Sequence, residues 1–541
     1  MPAVSNIDPD LLKSRVNAAL PGPNYVTHKV APDNNLNLHA WEKYADIFSP
    51  DDPSLLQQLQ WGFPTGVSQE SILAVPFTNH SSARKHPKIV EEYINKHLHT
   101  KALYGPFSCN PLDIDIIVSP LQVAFSQSGK PRVCNDLSYG EHSVNSAISG
   151  VWSEYPGYDG DFSLPNADTV VQAILDIGPG ARLWKTDFSA YYKQLSTDMA
   201  QINMLAFVYD NKLYFESRLP FGMRSSCLNA QRVTNAAIKV FKAKSNSFAT
   251  GYVDDILGVS HVVVAEKDYD LFCSVTEELG LEKTLAKCVP PITCVIWIGL
   301  QFDTIAMCLS IPMEKMNRIV ALLENWLDNT RATKTALQSL LGSLNHVASV
   351  VIVGRAFTGH IMDMIKSQEF PTCVTPEFRQ DVQFWLTFLK DQNLCNAAFK
   401  SPRAIPCDSI LQISVYDKKF AVKIADAVGC FEIEDDLPID QCVSVTFACW
   451  MATMMICNNV RGQWLTVYLP TVKAVHTINR ARAVLNQLRP MVRQTWWIQA
   501  NYDFVIRAKL GQWSREIDEF LKNCDDCTFV SCKSIPAYFQ C

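Results

Sequence analysis

Residues Phe248–Val259 read Phe-Ala-Thr-Gly-Tyr-Val-Asp-Asp-Ile-Leu-Gly-Val. Two apolar runs, interrupted by Gly251 and Gly258, flank the adjacent carboxylates Asp254 and Asp255. This pattern predicts a short β-hairpin with the two acids at its tip. Neighbouring carboxylates repel each other, so we expect a cation beside them. A solvated turn is the alternative interpretation, because Asp-Asp pairs are common in loops.

A third acid lies upstream, at the end of a strand-like run. Residues Ala181–Tyr192 read Ala-Arg-Leu-Trp-Lys-Thr-Asp-Phe-Ser-Ala-Tyr-Tyr, and Asp187 ends the run. If this strand pairs beside the hairpin, Asp187 and Asp254 can share divalent metal ions. Such an arrangement activates a hydroxyl group and holds a triphosphate for in-line displacement. The acids therefore predict a metal-dependent site that acts on a triphosphate.

The composition is that of a globular protein. The chain has 541 residues, of which 48% are hydrophobic and 19% charged, which favours three or four domains. No stretch approaches the ~20 uncharged apolar residues of a membrane span, so no membrane partner is expected. The N-terminal sequence has no basic segment followed by an apolar run, so no secretory signal is expected. Eighteen cysteines without a regular framework indicate reduced thiols and an intracellular location, cytoplasmic or nuclear.

The net charge of −6 opposes general affinity for nucleic acid, because that affinity comes from Lys and Arg. The local field matters more than the sum. Residues 441–502 contain no Asp or Glu but carry six Lys and Arg. This segment predicts a nucleic-acid contact surface, with Arg480, Arg482 and Arg489 as candidate contacts.

A further motif, Leu219–Ser226, reads Leu-Pro-Phe-Gly-Met-Arg-Ser-Ser. Together with Tyr252–Asp255 and Asp187–Tyr192, it resembles the palm of reverse transcriptases in order and spacing. A looser similarity over residues 75–520 is to one group, the reverse transcriptases of DIRS-like, tyrosine-recombinase retroelements. The resemblance implies an α+β fold: a right-hand polymerase of fingers, palm and helical thumb, followed by an α/β RNase H-like domain.

The same resemblance predicts where the domains begin and end. The expected divisions are an N-terminal extension, partly irregular (1–74), fingers and palm (75–305), a helical thumb and connection (306–400), a degenerate RNase H-like domain (401–530) and a tail (531–541).

The resemblance also suggests residues that bind the nucleotide. Basic side chains at a turn before a strand could meet a triphosphate, and the family implies Arg132 as the first contact and Lys130 as the second. A solvent-facing turn explains Lys130 equally well. Tyr192 occupies the position of an aromatic gate that would clash with a ribose 2′-hydroxyl group. Further positions that match nucleotide or template contacts of the family are Phe221, Gly222 and Lys287.

The C-terminal domain departs from its family pattern. RNase H chemistry uses about four carboxylates around two metal ions, and Asp417 and Asp518 stand where the first and last are expected. The expected helix acid falls near Val445, in the acid-free segment. The expected Val-Tyr-x-Asp-Asn reads Val-Tyr-Leu-Pro-Thr, with Pro470 in place of Asp. We therefore expect a domain that holds nucleic acid without cutting it.

These observations predict an RNA-directed DNA polymerase that adds deoxynucleotides to a primer 3′-end. Its expected partners are an RNA template, a DNA primer and dNTPs, with Mg²⁺ or Mn²⁺ held by Asp187, Asp254 and Asp255, the catalytic acids. One alternative is a domesticated, retroelement-derived scaffold that binds RNA without synthesis. Another is a different two-metal nucleotidyl enzyme on the same palm, which leaves the thumb and tail unexplained.

Overall fold

A computed structural model describes residues 5–20, 33, 35–67, 78–126, 129–160, 162–367, 369–390, 396–398, 410–416, 419–424, 427–433, 441–457, 464–480, 489–501, 505–510 and 528–530. The chain forms two compact units, residues 1–298 and 299–541. The finer division into an extension, fingers and palm, thumb, RNase H-like domain and tail stays a prediction.

The first unit combines helices with short antiparallel sheets. Its helices are α1 (Pro9–Ala19), α2 (Leu38–Lys43), α3 (Ala45–Phe48), α4 (Leu55–Trp61), α5 (Ser81–Lys85), α6 (Pro87–His99), α7 (Ala167–Ile177), α8 (Arg224–Lys242) and α9 (Ala265–Glu278). Its strands are β1 (Leu103–Phe107), β2 (Leu121–Phe125), β3 (Pro131–Asn135), β4 (Arg182–Asp187), β5 (Ala206–Tyr209), β6 (Lys212–Glu216), β7 (Phe248–Tyr252), β8 (Asp255–Ser260), β9 (Val289–Ile292) and β10 (Cys294–Trp297).

The central sheet of this unit has the strand order β7-β8-β4-β9, and all its neighbours are antiparallel. Strands β7 and β8 form the predicted hairpin, in which Tyr252 pairs with Asp255 across a two-residue turn. Val253 in that turn has a φ of 56°. The sequence prediction of a hairpin with acids at its tip is therefore confirmed.

One face of the central sheet is closed by helices α8 and α9. Trp184 on β4 is fully buried, with its ring 5.6 Å from Phe241 and 5.2 Å from Phe272. Gly258 lies opposite Trp184 in the register, and a Cβ atom there would overlap the indole ring. Glycine at this position therefore makes room for the Trp184 indole ring against the neighbouring strand.

Residues before 75 pack into the core of the central sheet. Trp41, Phe48 and Phe63 are at most 1% exposed and belong to the same apolar cluster as Trp184. The buried guanidinium of Arg232 on α8 donates from Nε and Nη2 to the Asp52 carboxylate, at 2.7 and 2.8 Å. These contacts fix helices α2–α4 against α8.

Two smaller sheets of the first unit lie outside the central sheet. Strands β1, β6 and β5 form one antiparallel sheet, and β2 and β3 form a hairpin. Helix α6 packs against both through a shared apolar core that includes Val90, Ile94, Leu103 and Val133. This core holds the strand that carries Arg132.

The second unit contains helices α10 (Met313–Asp328), α11 (Lys334–Val347), α12 (Gly359–Ile365), α13 (Pro376–Lys390), α14 (Gln441–Ile456), α15 (Val472–Arg480) and α16 (Arg489–Asn501). Its strands are β11 (Leu300–Asp303), β12 (Cys308–Ser310), β13 (Arg331–Ala332), β14 (Thr372–Cys373), β15 (Asn396–Ala398), β16 (Ile410–Tyr416), β17 (Lys419–Ile424), β18 (Ala427–Ile433), β19 (Trp464–Leu469), β20 (Val505–Leu510) and β21 (Thr528–Val530).

The large sheet of the second unit has the order β20-β19-β16-β17-β18-β21. Strands β16, β17 and β18 are antiparallel, whereas β19 runs parallel to β16 and β20 parallel to β19. Helices α14 and α15 pack on this sheet. This topology is that of an RNase H-like domain, so the predicted fold class is confirmed: an α+β right-hand polymerase followed by an α/β RNase H-like domain. No helix among the described residues is long and apolar enough to cross a membrane.

Candidate active site

Strand pairing brings the three acids to one end of the central sheet. Asp187, the last residue of β4, is the register partner of Asp255, the first residue of β8. The backbone N–H of Phe188 donates to the carbonyl oxygen of Asp254 at 2.9 Å. Asp187 is buried, while Asp254 and Asp255 are half-buried. The hairpin tip and the end of β4 thus form one acidic site from segments far apart in sequence.

Lys287 faces Asp187. Its Nζ lies 3.0 Å from Asp187 Oδ1 and 2.8 Å from Oδ2, so it donates to both carboxylate oxygens. The backbone holds the two segments together, because the Thr284 N–H donates to the Asp187 carbonyl oxygen at 2.8 Å. Partial burial lowers the pKa of Lys287, but hydrogen bonds and attraction to Asp187 outweigh this and raise its pKa overall. Lys287 is therefore a cation at the acidic site.

Asp255 faces a different lysine. Its Oδ1 lies 2.9 Å from Nζ of Lys185, which also donates to the carbonyl oxygen of Ile296 at 3.2 Å. The indole N–H of Trp297 donates to the Asp255 carbonyl oxygen at 2.9 Å. Burial raises the pKa of Asp255, and Lys185 opposes that rise. Sequence analysis missed Lys185, although strand alternation puts it on the same face as Asp187 two residues later.

Asp254 lies between these two ion pairs. Burial raises the pKa of its carboxyl group, and the nearby charge of Asp187 raises it further. Lys287 and Arg132 lower it, but the net shift is upward. A raised pKa means that the ionised carboxylate is incompletely neutralised by the protein. An added cation would therefore stabilise the ionised form of Asp254.

Carboxylate oxygens are the ligands that Mg²⁺ prefers, so the donor set fits such an ion chemically. Within the ranges that the structure describes, however, no three His, Cys, Asp or Glu side chains are gathered as a metal site. Both oxygens of Asp187 face Lys287, and Asp255 faces Lys185. Asp187 and Asp254 are the residues that would hold a divalent ion, with the Lys287 ammonium moving aside.

Three of the predicted nucleotide contacts, Arg132, Phe221 and Tyr192, lie close to one another. The Arg132 guanidinium is 5.8 Å from the Phe221 ring centroid, and the half-buried Tyr192 ring is 5.1 Å from it. Gly222 has a φ of 97°, and a Cβ there would come within 3.1 Å of the Asn135 carbonyl oxygen. Lys130 lies exposed just before β3, in the turn of the β2–β3 hairpin. The structure thus brings Arg132, Phe221 and Tyr192 together, whereas Lys130 is exposed in the hairpin turn.

The predicted basic contacts of the second unit differ from one another. Arg480 is exposed at the end of α15. Arg489 donates to Asp363 Oδ2 at 2.6 Å and its side chain is only 14% exposed. Arg493, from the same acid-free segment, is buried against Asp381. Arg482 lies outside the described residues. The arginines Arg489 and Arg493 of this acid-free segment therefore have carboxylate partners on other helices, α12 and α13.

The degenerate RNase H positions are partly visible. Val445, where a helix acid was expected, is fully buried on α14. Pro470 directly follows β19, at the strand end where the family pattern has Asp. Asp417 and Asp518 lie outside the described residues. Hydrophobic and proline side chains at two expected ligand positions cannot bind a metal ion.

The central sheet, its hairpin acids and the RNase H-like topology together define a reverse-transcriptase-like fold. No protein-family model and no curated protein matches the chain. Among solved structures, a foamy viral protease-reverse transcriptase dRH in complex with double-stranded DNA is similar at 14% identity and a TM-score of 0.49, covering 93% of this chain and 82% of that one.

Two further foamy viral protease-reverse transcriptase structures are similar at 15% identity and a TM-score of 0.48. The one in complex with double-stranded DNA covers 99% of each chain. The one in complex with an RNA/DNA hybrid covers 97% of this chain and 65% of that chain. At these identities and TM-scores, the similarities assign no activity to this chain.

Proposed function

We propose that the chain is an RNA-directed DNA polymerase that extends a DNA primer on an RNA template. The observation that carries this proposal is the pairing of β4 with the β7–β8 hairpin, which puts Asp187 beside Asp254 and Asp255. Lys287 and Arg132 lie close enough to this site to lower the pKa of Asp254. Acids flanked by cations on this sheet suit a substrate that is an anionic triphosphate.

Each residue has a distinct role in the proposed reaction. Asp187 and Asp254 would hold Mg²⁺, and the chemistry that the ion would supply is a lower pKa of the primer 3′-hydroxyl group and neutralisation of charge on the pyrophosphate. Arg132 binds the triphosphate through its planar fork, and Lys287 offers a point charge once it leaves Asp187. Phe221 and Gly222 line the nucleotide pocket. Tyr192 excludes the ribose 2′-hydroxyl group by contact, which selects deoxynucleotides.

Asp255 supports the hairpin in this mechanism. Its carboxylate already faces Lys185, and its carbonyl oxygen accepts from Trp297. Its ion pair with Lys185 ties the start of β8 to β4. Of the three predicted metal ligands, Asp255 is therefore proposed as a supporting acid that holds the hairpin tip in register.

The second unit completes the proposed enzyme. Its RNase H-like domain contacts the RNA–DNA product without cutting it, because two of the expected acid positions hold Val445 and Pro470. The sequence similarity over residues 75–520 supports an origin in DIRS-like retroelements. The rival scaffold function requires none of the palm acids, whereas this chain has all three, with lysines at Asp187 and Asp255.

A primer-extension assay tests the proposal. A labelled DNA primer is annealed to an RNA template or to the DNA template of the same sequence, and the full chain is added with dNTPs and Mg²⁺ or Mn²⁺. We expect extension on the RNA template, and we expect Asp254→Asn to reduce it by several orders of magnitude. Asp270→Asn removes the same charge from an exposed position of α9 and should extend normally. Absence of extension by the wild-type chain with either metal would contradict the proposal.

A further inference from the structure

A buried ion pair lies next to the residue proposed as the sugar gate. Nζ of Lys193 contacts Oε2 of Glu216, and their side chains are only 6% and 1% exposed. The hydroxyl group of Tyr93 donates to the other oxygen, Glu216 Oε1, at 2.6 Å. Both carboxylate oxygens of Glu216 are therefore engaged inside the protein.

The surroundings leave Lys193 and Glu216 as an isolated charge pair. Burial and the nearby carboxylate of Glu216 raise the pKa of Tyr93 far above its usual value, so its hydroxyl group stays neutral. Burial, with the charge of Lys193, lowers the pKa of His97 to about 3, so its ring is neutral at physiological pH. The His97 ring lies 4.5 Å from the Tyr93 ring, in an edge-on arrangement.

Stability alone does not account for such a pair. Two charges lose their hydration on burial, and well-packed apolar residues of similar volume are often as stabilising or more so. A buried pair does fix the positions of the elements that carry it, because removing one partner strands the other charge. The pair therefore fixes the segment that carries Lys193 against the strand that carries Glu216.

Lys193 immediately follows Tyr192 in the short 3-10 helix Tyr191–Gln194. On the other side, the Tyr191 hydroxyl group donates to the Ala230 carbonyl oxygen at 3.0 Å, which ties the helix to α8. Tyr192 is thus held between two buried anchors, and its ring projects against Phe221. A shift of either anchor would move the Tyr192 ring.

Glu216 and Tyr93 connect this helix to the strand of Arg132. Glu216 ends β6 and pairs in register with Leu103 of β1. Tyr93 lies on α6, which packs against both β1 and β3, and β3 carries Arg132. The ion pair, the Tyr93 hydrogen bond and the packing of α6 together therefore connect the 3-10 helix that carries the gate to β3, which carries the first triphosphate contact.

We propose that Lys193 and Glu216 are positioning residues that set sugar discrimination by holding Tyr192 at a fixed distance from the nucleotide bound by Arg132. This inference rests on the proposed polymerase function. Lys193 and Glu216 act through Tyr192 and Arg132 rather than by touching the substrate. A misplacement of about 1 Å at a reacting group can cost roughly 100-fold in rate, so a displaced anchor is enough to change selection.

The test measures single-nucleotide incorporation of a dNTP and of the matching rNTP, with KM and kcat determined separately. The variants are Lys193→Met, the charge-retaining Lys193→Arg, and the double variant Lys193→Met/Glu216→Met, which leaves no unpaired buried charge. Lys267→Met, an exposed lysine of α9, is the matched control. We expect Lys193→Met to raise the KM for the dNTP and to lower the preference for deoxynucleotides by about 10-fold or more. Lys193→Arg should restore much of the preference.

A second comparison separates positioning from simple loss of stability. In a Tyr192→Ala background the gate is already absent, so adding Lys193→Met should cause no further loss of sugar discrimination. The double variant Lys193→Met/Glu216→Met should keep a thermal midpoint near that of the wild type and still discriminate poorly.

Four results would overturn the inference. Wild-type discrimination in the folded double variant would do so, as would an additive loss in the Tyr192→Ala background. A wild-type chain that extends no primer would overturn the proposed function together with this inference. Extension by the wild type with unchanged discrimination in every variant would overturn this inference alone.

Discussion

Asp187, Asp254 and Asp255 meet at one strand end but have different electrostatic surroundings. Asp187 is paired with Lys287 and Asp255 with Lys185. Burial and the charge of Asp187 raise the pKa of Asp254, and a backbone hydrogen bond, Lys287 and Arg132 oppose that rise without cancelling it. We expect a divalent cation to stabilise the ionised form of Asp254.

A thermal-unfolding measurement tests this view of Asp254. A carboxyl group with a raised folded-state pKa gives stability below its ordinary pKa, and that stability is lost as the pH rises through the folded value. At neutral pH the ionised Asp254 therefore destabilises the metal-free protein. We expect Asp254→Asn to raise the midpoint by ~1–3 °C without metal.

The same thermal-unfolding measurement in the presence of Mg²⁺ gives the second comparison. Binding to the folded state raises the midpoint of the wild type, and we expect a smaller rise for Asp254→Asn. The exposed substitution Asp270→Asn should leave both midpoints unchanged. A lower midpoint for Asp254→Asn without metal, together with an undiminished response to Mg²⁺, would contradict this account.

Sequence alone could locate the acids but could not assign their partners. Lys185 was accessible from strand alternation, because it lies two residues before Asp187. The pairing of Lys193 with Glu216 was not accessible, because it depends on how the short helix meets the end of β6, 23 residues away along the chain. Side-chain partners across elements are set by packing, which periodicity does not describe.

At the scale of elements, α15 and α16 show how an acid-free segment can mislead. Their arginines were expected to form one basic surface. Arg480 is exposed, but Arg489 lies against Asp363 of α12, and Arg493 is buried against Asp381 of α13. These partners are more than 100 residues upstream of the arginines. Helix α16 therefore uses its charges for packing within the second unit.

Affinity for an RNA–DNA hybrid, measured as a function of salt, distinguishes the two arginines. We expect Arg480→Gln to weaken binding and to reduce the log–log salt slope by about one unit, as for one lost phosphate contact. Arg489→Gln should leave the slope unchanged and lower the free energy of unfolding by about 0–1 kcal/mol, the usual range of a partly exposed ion pair. An unaltered slope for Arg480→Gln, or a reduced slope for Arg489→Gln, would reverse these assignments.

At the scale of the whole chain, the order of helices and strands could be predicted from the sequence. The packing of the N-terminal segment into the core was less predictable. The family resemblance predicted an RNase H-like domain over residues 401–530, and the large sheet of the second unit has that strand order. The N-terminal extension (1–74) was expected to be partly irregular, yet α1 begins with a cap in which Asp8 accepts from two backbone N–H groups. Trp41 and Phe48 pack into the central core, an association that weak periodicity could not reveal.

The whole chain should bind an RNA–DNA hybrid without degrading it. Two expected ligand positions carry Val445 and Pro470, and a two-metal site that cleaves a phosphodiester needs its full set of carboxylates. The measurement is incubation of the protein with a hybrid labelled in the RNA strand, with Mg²⁺, followed by gel analysis. We expect intact RNA. Cleavage that disappears in Asp417→Asn would show that other acids have replaced the missing ones.

In the proposed reaction, Asp187 and Asp254 perform chemistry on a bound nucleotide. The most direct measurement is the rate of single dNTP addition to a DNA primer on an RNA template, taken beside the affinity for the same hybrid, for the wild type and Asp187→Asn. We predict measurable addition by the wild type, a loss of several orders of magnitude in Asp187→Asn, and similar affinities for the two proteins. Equal affinities with no addition by the wild type, or normal addition by Asp187→Asn, would contradict the account.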